Sequence, residues 1–289
     1  MTELIVALRP KHWIKNFFIF LPLIFGSKLF SFHESLQTSV AFFIFSTSSS
    51  SVYLVNDVLD IESDRRHPVK LSRPIASGKV TVTAALVTAF ILGTSSVLFS
   101  FLLNVRLGWI VAFYLLLNLL YSRFLKHRVI IDVGCIALFF LLRVAAGSAV
   151  AGVQLSHWVL FMSGLVALFL GTNKRRQELQ VLEISAPSRK VLLRYDAYFI
   201  DQMIGVITAS IVVVYMLYTV DQDTIRRFGS THLIFTIPFV YYGIFRYLYL
   251  VHKLRLAGDP TAVILSDIRM QVNLLLWVMV SVAVVYFGL

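Results

Sequence analysis

The segment NDVLDIESDRRHP, which begins at Asn56, contains four oxygen-bearing side chains at helical spacing: Asn56, Asp57, Asp60 and Asp64. If the helix that carries Asn56 continues through the segment, Asn56, Asp60 and Asp64 recur on one face, with Asp57 close by. Carboxylates at this spacing repel one another unless a cation neutralises them. Hard oxygen ligands suit Mg²⁺, which completes its shell with water and substrate phosphates. The pattern therefore predicts a magnesium site held by Asn56, Asp60 and Asp64.

A salt-bridged helix end is the alternative interpretation of the same segment, with Arg65 and Arg66 as the partners of the carboxylates. The loop that follows, KLSRPIASGKV, supplies Lys70, Arg73 and Lys79. Cations beside a bound Mg²⁺ would hold a diphosphate from its other side. The loop is thus predicted to bind phosphate, and topogenic charge alone is the alternative.

Two further polar features follow along the chain. In YSRFLKHRVIID, Tyr121, Lys126 and Asp132 are expected at the mouth of the helix bundle, although a short basic loop with an interfacial Tyr would look the same. Arg143 lies in the middle of the apolar run LFFLLRVAAGSAVAG. An Arg within a span is costly, so it should face the bundle interior and meet an anion, with Asp132 as one candidate.

The segment NKRRQEL carries three consecutive cations and one carboxylate, Glu178. Lys174 and Glu178 stand four residues apart and could pair with each other. In the functional interpretation, Lys174 and Arg175 bind a substrate phosphate and Glu178 reaches the metal or its water.

The elements that position these residues are membrane helices. Apolar residues make up 58% of the 289 residues and charged residues only 14%, with a mean hydropathy of +0.81, so lipid must solvate the chain. A β-barrel would need alternating strands, whereas the apolar runs here are apolar on all sides. Spans are predicted near 12–30, 36–57, 81–101, 105–121, 130–151, 156–174, 200–220, 231–250 and 271–288.

Most of the 26 Lys and Arg residues fall on one face of this nine-span arrangement. Short loops rich in Lys and Arg stay in the cytoplasm, which predicts a cytoplasmic N-terminus, an outside C-terminus and a chemical site on the cytoplasmic face of the inner membrane. The first apolar run lacks a cleavage pattern, so the N-terminus is expected to be retained. The single cysteine, Cys135, excludes an internal disulfide and a cysteine-based metal site.

Several segments together resemble the UbiA-type membrane prenyltransferase superfamily. They are LRPKHWIKNFFIFLPLIFG, YLVNDVLDIESDRRHPVKLSRPIASG, YSRFLKHRVIIDV and KRRQEL, with RYLY and DPTAVILSD later in the chain. The RPKHWIKN opening, the HPVKLSRPIASG continuation and KRRQEL are most similar to the branch that transfers a phosphoribosyl group to a polyprenyl phosphate. The resemblance covers nearly the whole chain, and it implies one integral-membrane domain over 1–289, with an all-α UbiA-like bundle.

What the resemblance implies for the site is a Mg²⁺-dependent enzyme with Asp57, Asp60 and Asp64 in catalytic roles. Its substrates would be phosphoribosyl pyrophosphate and a decaprenyl-like polyprenyl phosphate, with diphosphate released and no nucleic acid involved. The substrate-binding residues implied are Lys11, Lys15, Asn16, Lys70, Arg73, Tyr121, Lys126, Asp132, Arg143, Lys174, Arg175, Glu178 and Tyr195.

One departure from the superfamily narrows the expected substrates. Ordinary members carry a second Asp-rich motif near the sixth span, where this sequence has KRRQE. One acidic motif with more cations fits two phosphorylated substrates better than one diphosphate and a neutral ring. A prenyltransferase acting on an aromatic or other small acceptor remains the alternative, and a transporter or lipid-binding scaffold is the alternative from another class. The sequence leaves the oligomeric state open.

Overall fold

The structure is a computed structural model that describes residues 2–66, 70–182, 195–252 and 260–288. Within these ranges the regular structure is entirely helical. The α-helices are α1 (Thr2–Ala7), α2 (Leu21–Phe25), α3 (Phe32–Leu59), α4 (Ile61–Arg65), α5 (Val82–Leu103), α6 (Val105–Arg123), α7 (Ile131–Ala151), α8 (His157–Leu182), α9 (Ala197–Val220), α10 (Gln222–Phe228), α11 (Ile237–His252), α12 (Pro260–Ser266) and α13 (Ile268–Phe287). Shorter 3₁₀-helices cover Pro10–Phe20, Lys70–Ser72, Leu125–His127 and His232–Thr236.

Seven helices in the described part of the chain are long and apolar enough to cross a membrane. They are Phe32–Leu59, Val82–Leu103, Val105–Arg123, Ile131–Ala151, Ala197–Val220, His232–Val251 and Ile268–Phe287. The prediction of a polytopic α-helical membrane protein is therefore confirmed, whereas the count of nine spans is not.

The two remaining predicted spans differ from the expectation for different reasons. The span near 12–30 is a 3₁₀-helix, Pro10–Phe20, followed by the short helix Leu21–Phe25. Pro22 lacks the N–H that a continuous α-helix would donate to the Phe18 carbonyl. The span near 156–174 is the 26-residue helix α8, which runs on into the charged segment KRRQEL. Its polar end lowers the apolar character that a span needs.

The chain divides into two compact units. Among the described residues, the first unit comprises 2–66 and 70–155, and the second comprises 156–182, 195–252 and 260–288. The organisation as a single integral-membrane domain stays a prediction.

In the first unit, small residues bring the helices close to one another. The hydroxyl of Ser51 on α3 donates to the carbonyl of Ala89 on α5 at 2.7 Å. A Cβ on Gly147 of α7 would collide with the carbonyl oxygen of Ile19 in the first 3₁₀-helix. The N-terminal segment is thus packed tightly against α7, and only glycine allows that approach.

In the second unit, Tyr215 of α9, Leu233 of the 3₁₀-helix His232–Thr236 and Val284 of α13 form a core, against which Ile237 and Val240 of α11 pack. The Tyr215 hydroxyl lies 2.6 Å from the Thr236 hydroxyl and accepts a hydrogen bond from the Trp277 indole at 2.8 Å. Buried polar groups in a membrane helix need such internal partners.

Candidate functional site

The acidic segment is placed at the end of α3, but it is not one continuous helix. α3 ends at Leu59, Asp60 caps it with φ −98° and ψ 6°, and α4 restarts at Ile61. Backbone hydrogen bonds from Asp60 N–H to the Asn56 carbonyl at 2.9 Å and from Asp64 N–H to the Asp60 carbonyl at 2.8 Å nevertheless keep the helical repeat across this point. The metal site of Asn56, Asp60 and Asp64 stays a prediction. The break leaves Asp57 and Asp64 with 3% and 2% exposure, which makes them the two buried carboxylates of the segment.

Arg73 joins these two buried carboxylates. Its Nη1 donates to Asp57 Oδ1 at 3.1 Å and to Asp64 Oδ2 at 2.5 Å. The guanidinium nitrogen thus stands between two acid oxygens, in the position that a bridging cation would take. This contact fits the prediction that the loop after the acidic segment supplies charges complementary to it.

Arg9, from the N-terminal segment, also binds Asp57. Its Nη2 donates to Asp57 Oδ1 at 2.5 Å, and its guanidinium carbon lies 5.2 Å from the centroid of the Tyr53 ring, within the range of a cation–π interaction. Arg9 is a site residue that the sequence motifs did not single out. Its position directly before Pro10 in the quoted RPKHWIKN motif was the available signal.

Asp60 and Asn56 have hydrogen-bond partners from another part of the chain. Lys126 Nζ donates to Asp60 Oδ1 at 2.7 Å, and the Ser122 hydroxyl donates to Asn56 Oδ1. Both partners come from the end of α6 and the 3₁₀-helix that follows it. The three predicted metal ligands are thus spread over three different contacts. The ion pairs of the three aspartates are made by Arg9, Arg73 and Lys126, and not by Arg65 and Arg66 as the salt-bridged alternative expected.

We refer to Asp57, Asp60 and Asp64 as the acid cluster. Burial raises the pKa of Asp64, and the Arg73 guanidinium opposes that rise. Across the described ranges, no three His, Cys, Asp or Glu side chains are gathered as a metal site. The donor chemistry nevertheless fits Mg²⁺, since one or two carboxylates suffice when water and substrate phosphates complete the shell, and Asp57 and Asp64 already flank a single positive group.

Arg143 is buried at 5% exposure and faces the interior, as predicted, but its partners are neutral. It donates to Asn16 Oδ1 at 2.7 Å, to the Phe139 carbonyl at 2.6 Å and to the Tyr114 hydroxyl at 3.2 Å, with Ser49 Oγ at 3.4 Å. None of its partners in the described residues is a carboxylate, so Asp132 does not neutralise it.

Three aromatic rings surround the Arg143 guanidinium and stabilise its positive charge, as a carboxylate would otherwise do. The guanidinium carbon of Arg143 lies 5.2 to 5.5 Å from the ring centroids of Phe45, Tyr114 and Phe140. Asn16, fully buried, also donates to Ser46 Oγ at 2.9 Å. These contacts connect the first 3₁₀-helix with α3, α6 and α7, and the predicted substrate contacts of Arg143 and Asn16 stay predictions.

The remaining predicted residues of the first unit vary in exposure. Lys11 is exposed, and Lys15 and Lys70 are half-buried. Tyr121 is buried against Phe139, with ring centroids 5.5 Å apart. Asp132 is fully buried. Their substrate contacts stay predictions.

In the second unit, the KRRQEL segment lies on α8 and is held by ion pairs. Arg175, 1% exposed, donates to Glu178. Arg176 binds Asp201 through Nε at 2.7 Å and Nη2 at 3.2 Å, the two-point geometry that arginine favours with carboxylates. The predicted roles of Lys174, Arg175 and Glu178 in phosphate binding are not tested by these pairs.

The motifs RYLY and DPTAVILSD also meet within the second unit. Arg246 binds Asp267 through Nε at 3.2 Å and Nη2 at 2.6 Å, and this guanidinium lowers the pKa of Asp267. Asp267 Oδ1 in addition accepts the Met270 backbone N–H at 2.8 Å, which caps α13. Tyr195 is buried, with its ring 6.4 Å from that of Phe199. Asp259 and the basic residues at 189, 190 and 194 lie outside the described residues.

The fold and this site define a polytopic membrane protein with an acid cluster, countered by basic side chains, at the end of an apolar helix. The chain belongs to the UbiA prenyltransferase family, whose model matches residues 19–180, and the predicted family resemblance is confirmed.

Relatives of known name extend over almost the full length. The decaprenyl-phosphate phosphoribosyltransferase of Mycobacterium tuberculosis is 33% identical over 293 residues, covering 100% of this chain and 96% of the relative. That of Corynebacterium glutamicum is 35% identical over 289 residues, covering 98% and 86%. Among solved structures, a UbiA homolog from Archaeoglobus fulgidus bound to DMAPP and Mg²⁺ matches with a TM-score of 0.72 at 15% identity, covering 99% of this chain and 100% of the other. The all-α UbiA-like fold is thereby confirmed.

Proposed function

We propose that this protein transfers the 5-phosphoribosyl group of phosphoribosyl pyrophosphate to a decaprenyl-like polyprenyl phosphate and releases diphosphate. The observation that carries the proposal is the pairing of each carboxylate of the acid cluster with a cation, in a chain that aligns end to end with phosphoribosyltransferases. A site with both charge types can receive a metal and two phosphorylated substrates.

The two arginines of this site are more accessible than the carboxylates they cover, whereas in the Lys126–Asp60 pair the lysine is the less exposed side chain, at 8% against 31%. The side chains of Arg9 and Arg73 are 21% and 27% exposed, whereas those of Asp57 and Asp64 are 4% and 2% exposed. An incoming diphosphate therefore meets the guanidinium groups first. Arginine binds phosphate through two parallel N–H donors, so Arg9 and Arg73 are the proposed diphosphate ligands.

Magnesium is proposed as the cofactor, with ligands drawn from Asn56, Asp57, Asp60 and Asp64. The donor types support this, and Asp57 and Asp64 are the first choice because they already share one cation. When bound, Mg²⁺ would neutralise the diphosphate and stabilise it as a leaving group. The arginines released from the carboxylates would then hold the diphosphate oxygens.

In the proposed reaction, the bond between ribose C1 and the diphosphate oxygen breaks, and the lipid phosphate oxygen forms the new bond to C1 from the opposite face. The anomeric centre is therefore inverted. The lipid phosphate is an anion at neutral pH, so no side chain has to remove a proton from it. Lys126, at the edge of the acid cluster, is the proposed ligand of this phosphate. Phosphate binding by Lys174 and Arg175 in the second unit is a separate prediction.

The proposed location is the inner membrane, with the N-terminus and the acid cluster on the cytoplasmic side. It rests on the concentration of Lys and Arg in the connections on that side of the spans.

A prenyltransferase reaction with a small acceptor is the second candidate, because the family model carries that name and one UbiA neighbour is bound to GPP and Mg²⁺. The segment KRRQEL on α8 favours the first candidate, since it adds cations where a second diphosphate-metal motif would need carboxylates.

The test uses the purified full-length protein in lipid nanodiscs. Diphosphate release is measured with phosphoribosyl pyrophosphate alone, with decaprenyl phosphate alone and with both. We expect release only when both are present, together with a labelled lipid product. Release from geranyl diphosphate with an aromatic acceptor, and none from the proposed pair, would reverse the order of the two candidates.

A further inference from the structure

The backbone turn at Leu8 and Arg9 departs from what its residue types favour. Arg9 has φ 54° and ψ 57°, the left-handed conformation, which a residue with a Cβ rarely adopts. Arg9 also stands directly before Pro10, and the residue before a proline normally prefers an extended backbone. Backbone strain of this kind persists only where the surrounding structure maintains it.

Arg9 occupies the position after a helix end where glycine is usual. α1 ends at Ala7, and the Arg9 N–H donates to the Val6 carbonyl at 3.1 Å. In the common glycine-containing helix end, the N–H of the following residue makes a second hydrogen bond. Here that residue is Pro10, which has no N–H. The turn therefore needs a stabilising contact from another element.

Ser50 of α3 supplies such a contact. Its hydroxyl donates to the Leu8 carbonyl at 2.9 Å and accepts the Trp13 indole N–H at 3.1 Å. Ser50 is 1% exposed, and losing a hydrogen bond at a buried position is costly. The Leu8 carbonyl belongs to the planar peptide group whose orientation is coupled to the φ of Arg9. Ser50 therefore holds this peptide group from a distant part of the chain.

The same face of α3 receives the Arg9 side chain. Ser50, Tyr53 and Asp57 recur at intervals of three and four residues, which places them in one row along the helix. The Arg9 guanidinium lies over the Tyr53 ring and donates to Asp57 Oδ1 at 2.5 Å. Ser50 thus holds the backbone next to Arg9 at one end of the row, and Asp57 binds the guanidinium at the other.

We propose that Ser50, oriented by Trp13, is a positioning residue that keeps Arg9 in the conformation needed to bind the substrate diphosphate. The proposal rests on the proposed function, in which Arg9 is a diphosphate ligand, and adds the residue that prepares it. Ser50 acts through the Leu8–Arg9 peptide group and needs no contact with the substrate. When a diphosphate takes the guanidinium from Asp57, the backbone contact still keeps Arg9 beside the acid cluster.

The test uses inorganic diphosphate with Mg²⁺ as the probe and the full-length protein in lipid nanodiscs. We expect Ser50→Ala to weaken diphosphate binding, measured by isothermal titration calorimetry, roughly three- to tenfold, the scale of one lost neutral hydrogen bond. The KM for phosphoribosyl pyrophosphate should rise by a similar factor, while the KM for decaprenyl phosphate stays within about twofold.

Ser51→Ala is the matched control for Ser50→Ala. Ser51 is the neighbouring buried serine, and its hydroxyl donates to the Ala89 carbonyl of α5 at 2.7 Å. Its removal should leave diphosphate binding unchanged. No effect of Ser50→Ala, or equal effects of the two variants, would overturn the proposal.

A double-mutant cycle with Arg9→Ala distinguishes positioning from a general structural role. If Ser50 acts through Arg9, Ser50→Ala should change the diphosphate affinity by less than about twofold in the Arg9→Ala background. The same loss in both backgrounds would refute the proposal. Should Ser50→Ala fail to fold, Trp13→Phe removes the other hydrogen bond of the Ser50 hydroxyl, and wild-type affinity in that variant would also refute it.

Turnover separates a failure of this proposal from a failure of the proposed function. If diphosphate binding follows the expected pattern while the wild-type protein shows no phosphoribosyl transfer, the proposed function fails and the role of Ser50 stands. If transfer is found but Ser50→Ala binds diphosphate as the wild type does, the role of Ser50 alone fails.

Discussion

Arg73 and Arg143 are both arginines of the first unit, yet they bind opposite kinds of partner. Arg73 contacts two carboxylates and its side chain is 27% exposed. Arg143 is buried at 5% exposure and donates only to neutral oxygens, under three aromatic rings. Arg73 can exchange its carboxylates for a substrate anion. Arg143 cannot move away without leaving buried oxygen atoms with no hydrogen-bond donor. The partners of a charge, and not its residue type, thus distinguish the arginine proposed to bind substrate from the one that joins helices.

Removing divalent metal should have the largest effect on activity, through the acid cluster that Arg73 contacts. In excess chelator we expect phosphoribosyl transfer to fall to background, because the leaving diphosphate would lose its countercharge, and added Mg²⁺ should restore it. The thermal unfolding temperature should change little, because Arg9, Arg73 and Lys126 neutralise the acid cluster without metal. Full activity in chelator would remove Mg²⁺ from the mechanism.

Asp64→Asn should be the most damaging substitution. The neutral amide cannot hold Mg²⁺ or Arg73 as the carboxylate does, and we expect kcat/KM to fall by about a hundredfold or more, the scale of losing one electrostatic contact to a transition state. Asp223→Asn is the matched control, because Asp223 is 82% exposed in an ion pair on α10, and it should leave kcat/KM unchanged. Comparable activity of the two variants would exclude Asp64 from the site.

Lysine at the two arginine positions should separate their roles. Arg73→Lys keeps the charge but loses the planar pair of donors, so the KM for phosphoribosyl pyrophosphate should rise about tenfold with the unfolding temperature nearly unchanged. Arg143→Lys should instead leave that KM within about twofold and lower the unfolding temperature by several degrees, because each stranded buried partner costs about 1–3 kcal/mol.

Steady-state kinetics and a thermal scan on the same preparations decide between these outcomes. If Arg143→Lys raised the KM while stability held, Arg143 would be a substrate ligand as the sequence analysis predicted.

Two glycines of α7 should show the smallest effects, with opposite signs. Gly147→Ala sets a methyl group against the Ile19 carbonyl oxygen, and we expect a loss of about 1–3 kcal/mol as the N-terminal 3₁₀-helix is pushed away. Gly134→Ala meets nothing within 4 Å and should gain up to about 1 kcal/mol from helix propensity. Unfolding of the two purified variants in denaturant measures both, and equal stability would argue against the close packing of this segment.

Hydropathy predicted the apolar spans well because membrane crossing depends on the local composition of about 20 residues. Hydropathy was less successful for the N-terminal segment, where the 3₁₀-helix Pro10–Phe20 and Pro22 interrupt a run of apolar residues that looks continuous in the sequence. It also could not place the end of α3, because the chain breaks at Asp60 inside a pattern that suits a longer helix.

By itself, the sequence determined that this is a membrane-helix protein of the UbiA family with an acidic motif and matching cations, since composition and motif are properties of short segments. The tertiary structure decided which cation serves which carboxylate. Arg9 reaches Asp57 across 48 residues of chain and Lys126 reaches Asp60 across 66, and Arg143 finds neutral partners on three other elements. Such pairings depend on how closely helices approach and in which register, and no local pattern contains that information.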